Sequence, residues 1–232
     1  PDDPDVGLVG DTISSTVLTQ FPELATTGNG CTTPGDNNYS YMDGCYIKGN
    51  PSNNYIWYSG FLWRIMGINA DGSIRLVTDD FVTSIIYDES STNWDNSYVK
   101  QWLNNDFYGQ LMGNDIIVEQ IWCNETTTSS SDRTTCTNNL SIEPAKVGLI
   151  TLDEYNLSGA GNSFLEGNEY QWTMTPASNS YIWRVFGVLG NSMTNTDFPE
   201  NLRAVINIIP DTIINVNDGT SELPHELNQF GE

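Results

Sequence analysis

Positive charge is scarce in this chain. Eight Lys and Arg stand against 30 Asp and Glu in 232 residues, with one His, giving a formal net charge of -22. Phosphate backbones and anionic lipids are held through Lys and Arg, so the deficit argues against nucleic acid and lipid surfaces as partners. A single His rules out a His-Glu-x-x-His zinc site, and no Gly-x-Ser-x-Gly nucleophile motif occurs. The glycine-containing stretch Ser158–Gly167 lacks the Lys of a phosphate-binding loop. No apolar run approaches the roughly 20 residues that a helix needs to cross a bilayer, so direct membrane insertion of this segment is not expected. With no nucleophile or tuned acid–base pair in view, no catalytic residue, cofactor or metal site is assigned.

Cysteine is also sparse, and its spacing is informative. Cys31 and Cys45 bracket one polar, turn-rich interval, and Cys123 and Cys136 bracket another. Neither contains Cys-x-x-Cys, and one His cannot complete a Cys/His metal set, so two local disulfides are expected. Each would be worth about 3 kcal/mol as a loop closure. Disulfides place the protein outside the cytosol, on or beyond the cell surface. The opening PDDPDVGLVGD carries neither an initiator Met nor a signal-like apolar stretch, as a processed ectodomain anchored elsewhere would. Asn-x-Ser/Thr sequons at Asn38, Asn124, Asn139 and Asn156 are read as chance matches in an Asn-rich chain.

Aromatics are plentiful, and the loudest block is NNYIWYSGFLWRIMGINADGSIRLV, Asn53 to Val77. Tyr55–Tyr58 and Phe61–Ile68 read as strands, and Asp71-Gly72 as the turn of a hairpin closed by Ile74–Thr78. The near-continuous apolar character of Phe61–Met66 predicts burial on both faces. Upstream, Asp11 is the expected cap of a short helix bearing Ile13, Val17, Leu18 and Phe21, ended by Pro22. Downstream, Ser97 or Asn96 caps a helix carrying Val99, Trp102, Leu103, Phe107 and Leu111. Thr151 and Glu154 form a capping box after a strand at 147–150. QWTMTP, YIWRVFGVLG and LRAVINII predict three further strands, and Asn217–Thr220 a last turn before a polar tail holding an exposed His225. This order, without a βαβ rhythm, predicts an α+β fold, mainly antiparallel β with a few short helices. Residues 1–30 are expected to form an N-terminal arm, and 31–232 one globular domain.

Trp57, Trp63, Trp102, Trp172 and Trp183 are assigned to the structural core, with Arg64, Arg184 and Arg203. A buried Arg64 requires a carboxylate or several carbonyls around it. The adjacent acids Asp79-Asp80, Asp88-Glu89 and Asp153-Glu154 are read as solvated surface. Oxygen-rich turns such as NADGS and NVNDGTSE are read as plain turns.

The ordered set YIKGNPSNNYIWYSGFLWRIMG, VKQWLNNDFYGQL, GLITLDEYNLSG, YQWTMTP and LRAVINII resembles a family of uncharacterised surface proteins of gut Firmicutes. Ala204 stands where that family usually carries Pro. The order is also similar to C-type-lectin-like folds, without the calcium signature of sugar-binding lectins or the catalytic cysteines of the formylglycine-generating branch. The resemblance implies an extracellular, non-enzymatic module, adhesin-like or structural. Its partners would be other surface proteins, glycans or copies of itself. Self-assembly into a filament or surface layer is one alternative; an enzyme or calcium-dependent lectin acting on surface polysaccharide is another.

Overall fold

The computed structural model describes residues 10–28, 30–123, 141–187 and 190–227. The chain enters through helix α1 (Ile13–Gln20), which buries Ile13 and Val17 in the main core. Thr12, not Asp11, caps it: the Thr12 hydroxyl accepts from the Ser15 N–H, and the Ser15 hydroxyl accepts from the Thr12 N–H. A Ser at the third helical position can return the bond, which makes Thr12 the better cap. Two short strands, β1 (Thr26–Thr27) and β2 (Gly30–Cys31), form a hairpin. The next pair, β3 (Asn38–Tyr41) and β4 (Gly44–Ile47), is stapled to it by the Cys31–Cys45 disulfide. That link is one of the two expected; in the other, Cys136 lies outside the described residues, as do the sequons Asn124 and Asn139. Asn38 is buried, and its amide donates to the Glu23 carbonyl at 2.7 Å, so it cannot carry a glycan in this fold.

The aromatic block then forms β5 (Tyr55–Tyr58), β6 (Phe61–Ile68) and β7 (Ile74–Thr78) as an antiparallel meander. Asn69 to Ser73 makes the turn, with Gly72 at φ +86°, a conformation that favours glycine. All five residues of β7 and the last six of β6 are buried, as a strand covered on both faces should be. Gly67 lets β4 approach β6 closely: a Cβ there would sit 2.3 Å from the Cys45 carbonyl oxygen. Beyond β8 (Thr83–Ile86), Ser97 caps α2 (Tyr98–Trp102), which continues as a wider π turn to Phe107. Strand β9 (Val147–Gly148) leads into α3 (Leu152–Ser158), whose Thr151/Glu154 capping box is present.

The remaining strands are β10 (Gln171–Pro176), β11 (Tyr181–Phe186), β12 (Gly190–Asn195), β13 (Pro199–Leu202), β14 (Val205–Ile208), β15 (Ile214–Asn215) and β16 (His225–Leu227). They complete two sheets. The larger has the order β15-β16-β5-β6-β7-β14-β9 with the β3–β4 hairpin attached to β6, and the smaller β12-β11-β10-β13-β8. Pairing is antiparallel except for β16 with β5 and β10 with β13. Among the described residues the architecture is therefore mainly antiparallel β with three short α-helices, and the buried apolar side chains form one core cluster.

LRAVINII is not one strand. The chain leaves the smaller sheet at Leu202 and joins the larger at Val205, turning at Arg203 and Ala204. The polar C-terminal stretch likewise returns as β16, so His225 is 2% exposed rather than free in a tail.

Candidate functional site

Among the described residues the four arginines are the scarce resource, and the fold draws all four into contacts with acidic, aromatic or carbonyl groups. Arg64, on β6, spends its donors fully. Its Nε donates to Asn54 Oδ1 at 2.6 Å, Nη1 to the Tyr55 hydroxyl at 2.9 Å and Asp79 at 3.3 Å, and Nη2 to Asn50 Oδ1 and the Pro51 carbonyl. The guanidinium also lies 4.0 Å over the Tyr55 ring. This is the surround that a buried Arg64 requires. Burial lowers its pKa, opposed by Tyr55 and Asp79.

Arg203, at the crossing between the sheets, donates to the Thr78 carbonyl at 2.6 Å and the Phe164 carbonyl at 2.9 Å. Among the described residues no carboxylate reaches it within ion-pair distance. Its Nη2 has no partner, and burial draws its pKa down to about 10. Arg64 and Arg203 line a cleft of about 250 Å³ with Asp79 and Glu166. The unpartnered Nη2 of Arg203 and Oε2 of Glu166 are closed off from solvent behind it. Arg184, on the smaller sheet, pairs with Glu200 and lies 3.7 Å over the Tyr170 ring.

Arg75 on β7 is different. Its Nε lies 2.7 Å from Glu154 Oε1, close enough for a charge pair though off the hydrogen-bond line, and Nη2 donates to Glu154 Oε2 at 3.2 Å. Glu154 is fully buried at the third position of α3, where the same Oε2 also accepts from the Thr151 N–H at 2.8 Å. One carboxylate thus closes the capping box and neutralises Arg75. Burial works most strongly against the Arg75 charge, but Glu154, Tyr46 and Tyr41 together outweigh it, and the pKa is raised. The guanidinium lies 4.8 Å from the Trp122 ring centre. Nη1 has no hydrogen-bond partner among the described residues, and it is not closed off from solvent.

That atom belongs to a pocket of about 260 Å³. Arg75 is the cationic group among its lining residues, which include the buried rings of Tyr41, Tyr46 and Trp122. Burial and the Glu154 charge raise the pKa of Tyr41. Burial does the same for Tyr46, against the pull of Arg75, so both phenols stay protonated. Exposed Ala70, Asp71 and Ile121 make the rim. Asp71 Oδ1 is taken by the Ser73 N–H and hydroxyl, the plain turn expected of NADGS.

Several assigned residues fall elsewhere. Trp63 and Trp172 are buried core, while Trp102 and Trp183 are partly buried against it. Trp57 is not core: it is 42% exposed, because β5 turns that face away from the interior while Ile56 and Tyr58 point in. Asp153-Glu154 is buried rather than solvated, and Asp88 is nearly so, accepting from the Ser90 and Ser91 N–H groups at 3.0 Å. Arg75 has no role assigned from sequence, although one charge inside Ile74-Arg75-Leu76-Val77, a strand apolar on both sides, is a usable signal.

His225 is held by the Asn217 N–H, which donates to Nδ1 at 3.1 Å, and by Gln20 Oε1, 3.0 Å from Nε2. Burial lowers its pKa below 6.5. The unfolded chain therefore binds the proton more readily, and stability falls as pH drops from about 6.5 through the lowered folded value. As the only His, it makes the test clean. The urea midpoint of the native protein should fall between pH 7 and 5, and that slope should flatten in His225→Asn. An equal slope in both proteins would refute the assignment.

No family model, curated protein or solved structure matches this chain.

Proposed function

We propose that this chain is an extracellular, non-enzymatic surface module of adhesin type, and that the pocket around Arg75 is where it holds a glycan. The observation that carries this reading is Arg75 Nη1. An otherwise buried guanidinium keeps one donor facing a ring-lined pocket, whereas Arg64 is satisfied and the free Nη2 of Arg203 is sealed. Water meets that donor when the pocket is empty, and a ligand acceptor that reproduces the hydrogen bond can displace it. A pocket of about 260 Å³ suits a single sugar residue or one side group of it. The Cys31–Cys45 disulfide fits an oxidising location. No helix among the described residues is long and apolar enough to cross a membrane. The kinship with gut Firmicutes surface proteins and the C-type-lectin-like topology implied by the motif order belong to the same proposal.

The test blocks the pocket without touching the buried ion pair. Ala70→Trp places a large ring at the rim from an exposed turn position. On an array of bacterial and mucosal glycans, the native protein should bind a restricted set of structures and the Ala70→Trp variant should lose them. Retention of the same set by the variant would move recognition away from this pocket. Binding of nothing by the native protein would reject the glycan reading.

A further inference from the structure

The Arg75 pocket pairs its donor with apolar edges, and that pairing narrows the ligand. Resting on the glycan reading above, we infer that the group entering this pocket is the acetamido arm of an N-acetylated, otherwise uncharged sugar. First, Arg75 Nη1 can only donate, so the ligand must present an acceptor oxygen. Second, the Arg75 charge is already spent on Glu154, and the rim adds Asp71, on a chain of net charge -22. A carboxylate or sulfate would bring another negative charge beside two carboxylates with no cation left to meet it, which disfavours acidic sugars. Third, the Trp122 ring lies against the guanidinium, and Tyr41, Tyr46, Met42 and Ile121 add apolar surface to the same pocket.

A bare hydroxyl would satisfy Nη1 but leave this apolar lining empty. An acetamide matches all of it. Its carbonyl accepts from Nη1, its methyl sits against the rings, and its N–H has acceptors at the rim. Asp71 Oδ2 has no partner among the described residues, nor does the Gln120 side-chain amide, which can take a ring hydroxyl. Tyr46 spends its proton on Asn69 Oδ1, while the Tyr41 hydroxyl accepts from Thr151 Oγ1.

The experiment is an amide-detected NMR titration of the whole chain with N-acetylglucosamine, glucose, glucuronic acid and an N-acetyl-lysine amide. N-acetylglucosamine should shift the amides of 69–72 and 120–122, with affinity at least about tenfold above glucose and glucuronic acid, the discrimination expected of one methyl group filling an apolar pocket. Ala70→Trp, checked for an otherwise unchanged spectrum, should abolish those shifts, and Ile121→Arg serves if it does not fold. Equal affinity for glucose or glucuronic acid would overturn the acetamido assignment and leave the glycan reading standing. Equal affinity for the acetyl-lysine amide would overturn the assignment to a sugar. Absence of shifts with N-acetylglucosamine refutes the inference; combined with an empty glycan array, it removes the reading beneath it.

Discussion

Glu154→Gln is expected to lower the free energy of unfolding by about 3–5 kcal/mol, the cost of leaving one member of a buried ion pair uncompensated. The substitution keeps the shape of the side chain and an oxygen that can still accept from the Thr151 N–H, so the cap of α3 survives in outline. What it removes is the charge facing Arg75, which is 6% exposed and has no second carboxylate in ion-pair range among the described residues. Equilibrium urea unfolding at neutral pH measures the loss. A double replacement, Arg75→Met with Glu154→Gln, should recover part of it, because the stranded guanidinium is removed and only the neutral amide introduced at position 154 is left to find a partner. The double-mutant cycle should therefore give a large coupling between the two sites. A single-mutant loss below about 1 kcal/mol, the range of exposed pairs, would mean that solvent reaches the pair. The same cycle bears on function: the double variant keeps the fold while deleting Nη1, and it should lose the ligands that Ala70→Trp loses.

Arg203→Leu is expected to cost about 2–4 kcal/mol by the same measurement, close to the sum of two orphaned carbonyls at about 1–3 kcal/mol each less a desolvation gain. Two effects compete at this position. Holding a guanidinium in the interior without a carboxylate is unfavourable, and the lowering of its pKa to about 10 reflects that. Against this, its Nε and Nη1 satisfy the Thr78 and Phe164 carbonyls, which leucine would leave unpaired. The carbonyls win because they lie in separate segments, Thr78 on β7 and Phe164, with Glu166 at a longer 3.5 Å, in the 163–168 loop. Their loss also frees the chain where it passes from one sheet to the other. A neutral or stabilising Arg203→Leu would show that desolvating the guanidinium costs more than its hydrogen bonds return, with water replacing the lost donors.

Much of the fold was legible because its signals are local. Asp71-Gly72 marks the β6–β7 turn through the positive φ that Gly supplies, and Thr151-x-x-Glu154 marks the start of α3 through two hydrogen bonds closed within one helical turn. The Cys31–Cys45 link follows from spacing and polar context. The candidate site was much less legible. Tyr41, Arg75, Trp122 and Glu154 come from four separate parts of the chain, and no period or spacing connects them. Glu154 illustrates the gap. Its sequence context announces a cap, and the cap is real, but the Arg that meets its carboxylate lies 79 positions away.

Residue order alone was enough for the composition-level chemistry: an acidic chain poor in cations, with an apolar hairpin that had to be buried and a cysteine pair close enough to close. These follow from charge, turn geometry and hydrophobic patterning, all properties of neighbours. Which charges face each other, and which are left over, was settled by folding. Pairing a β7 arginine with an α3 carboxylate, exposing Trp57, burying His225 and breaking LRAVINII between two sheets all depend on long-range packing, where the energy lies in contacts the chain order does not record.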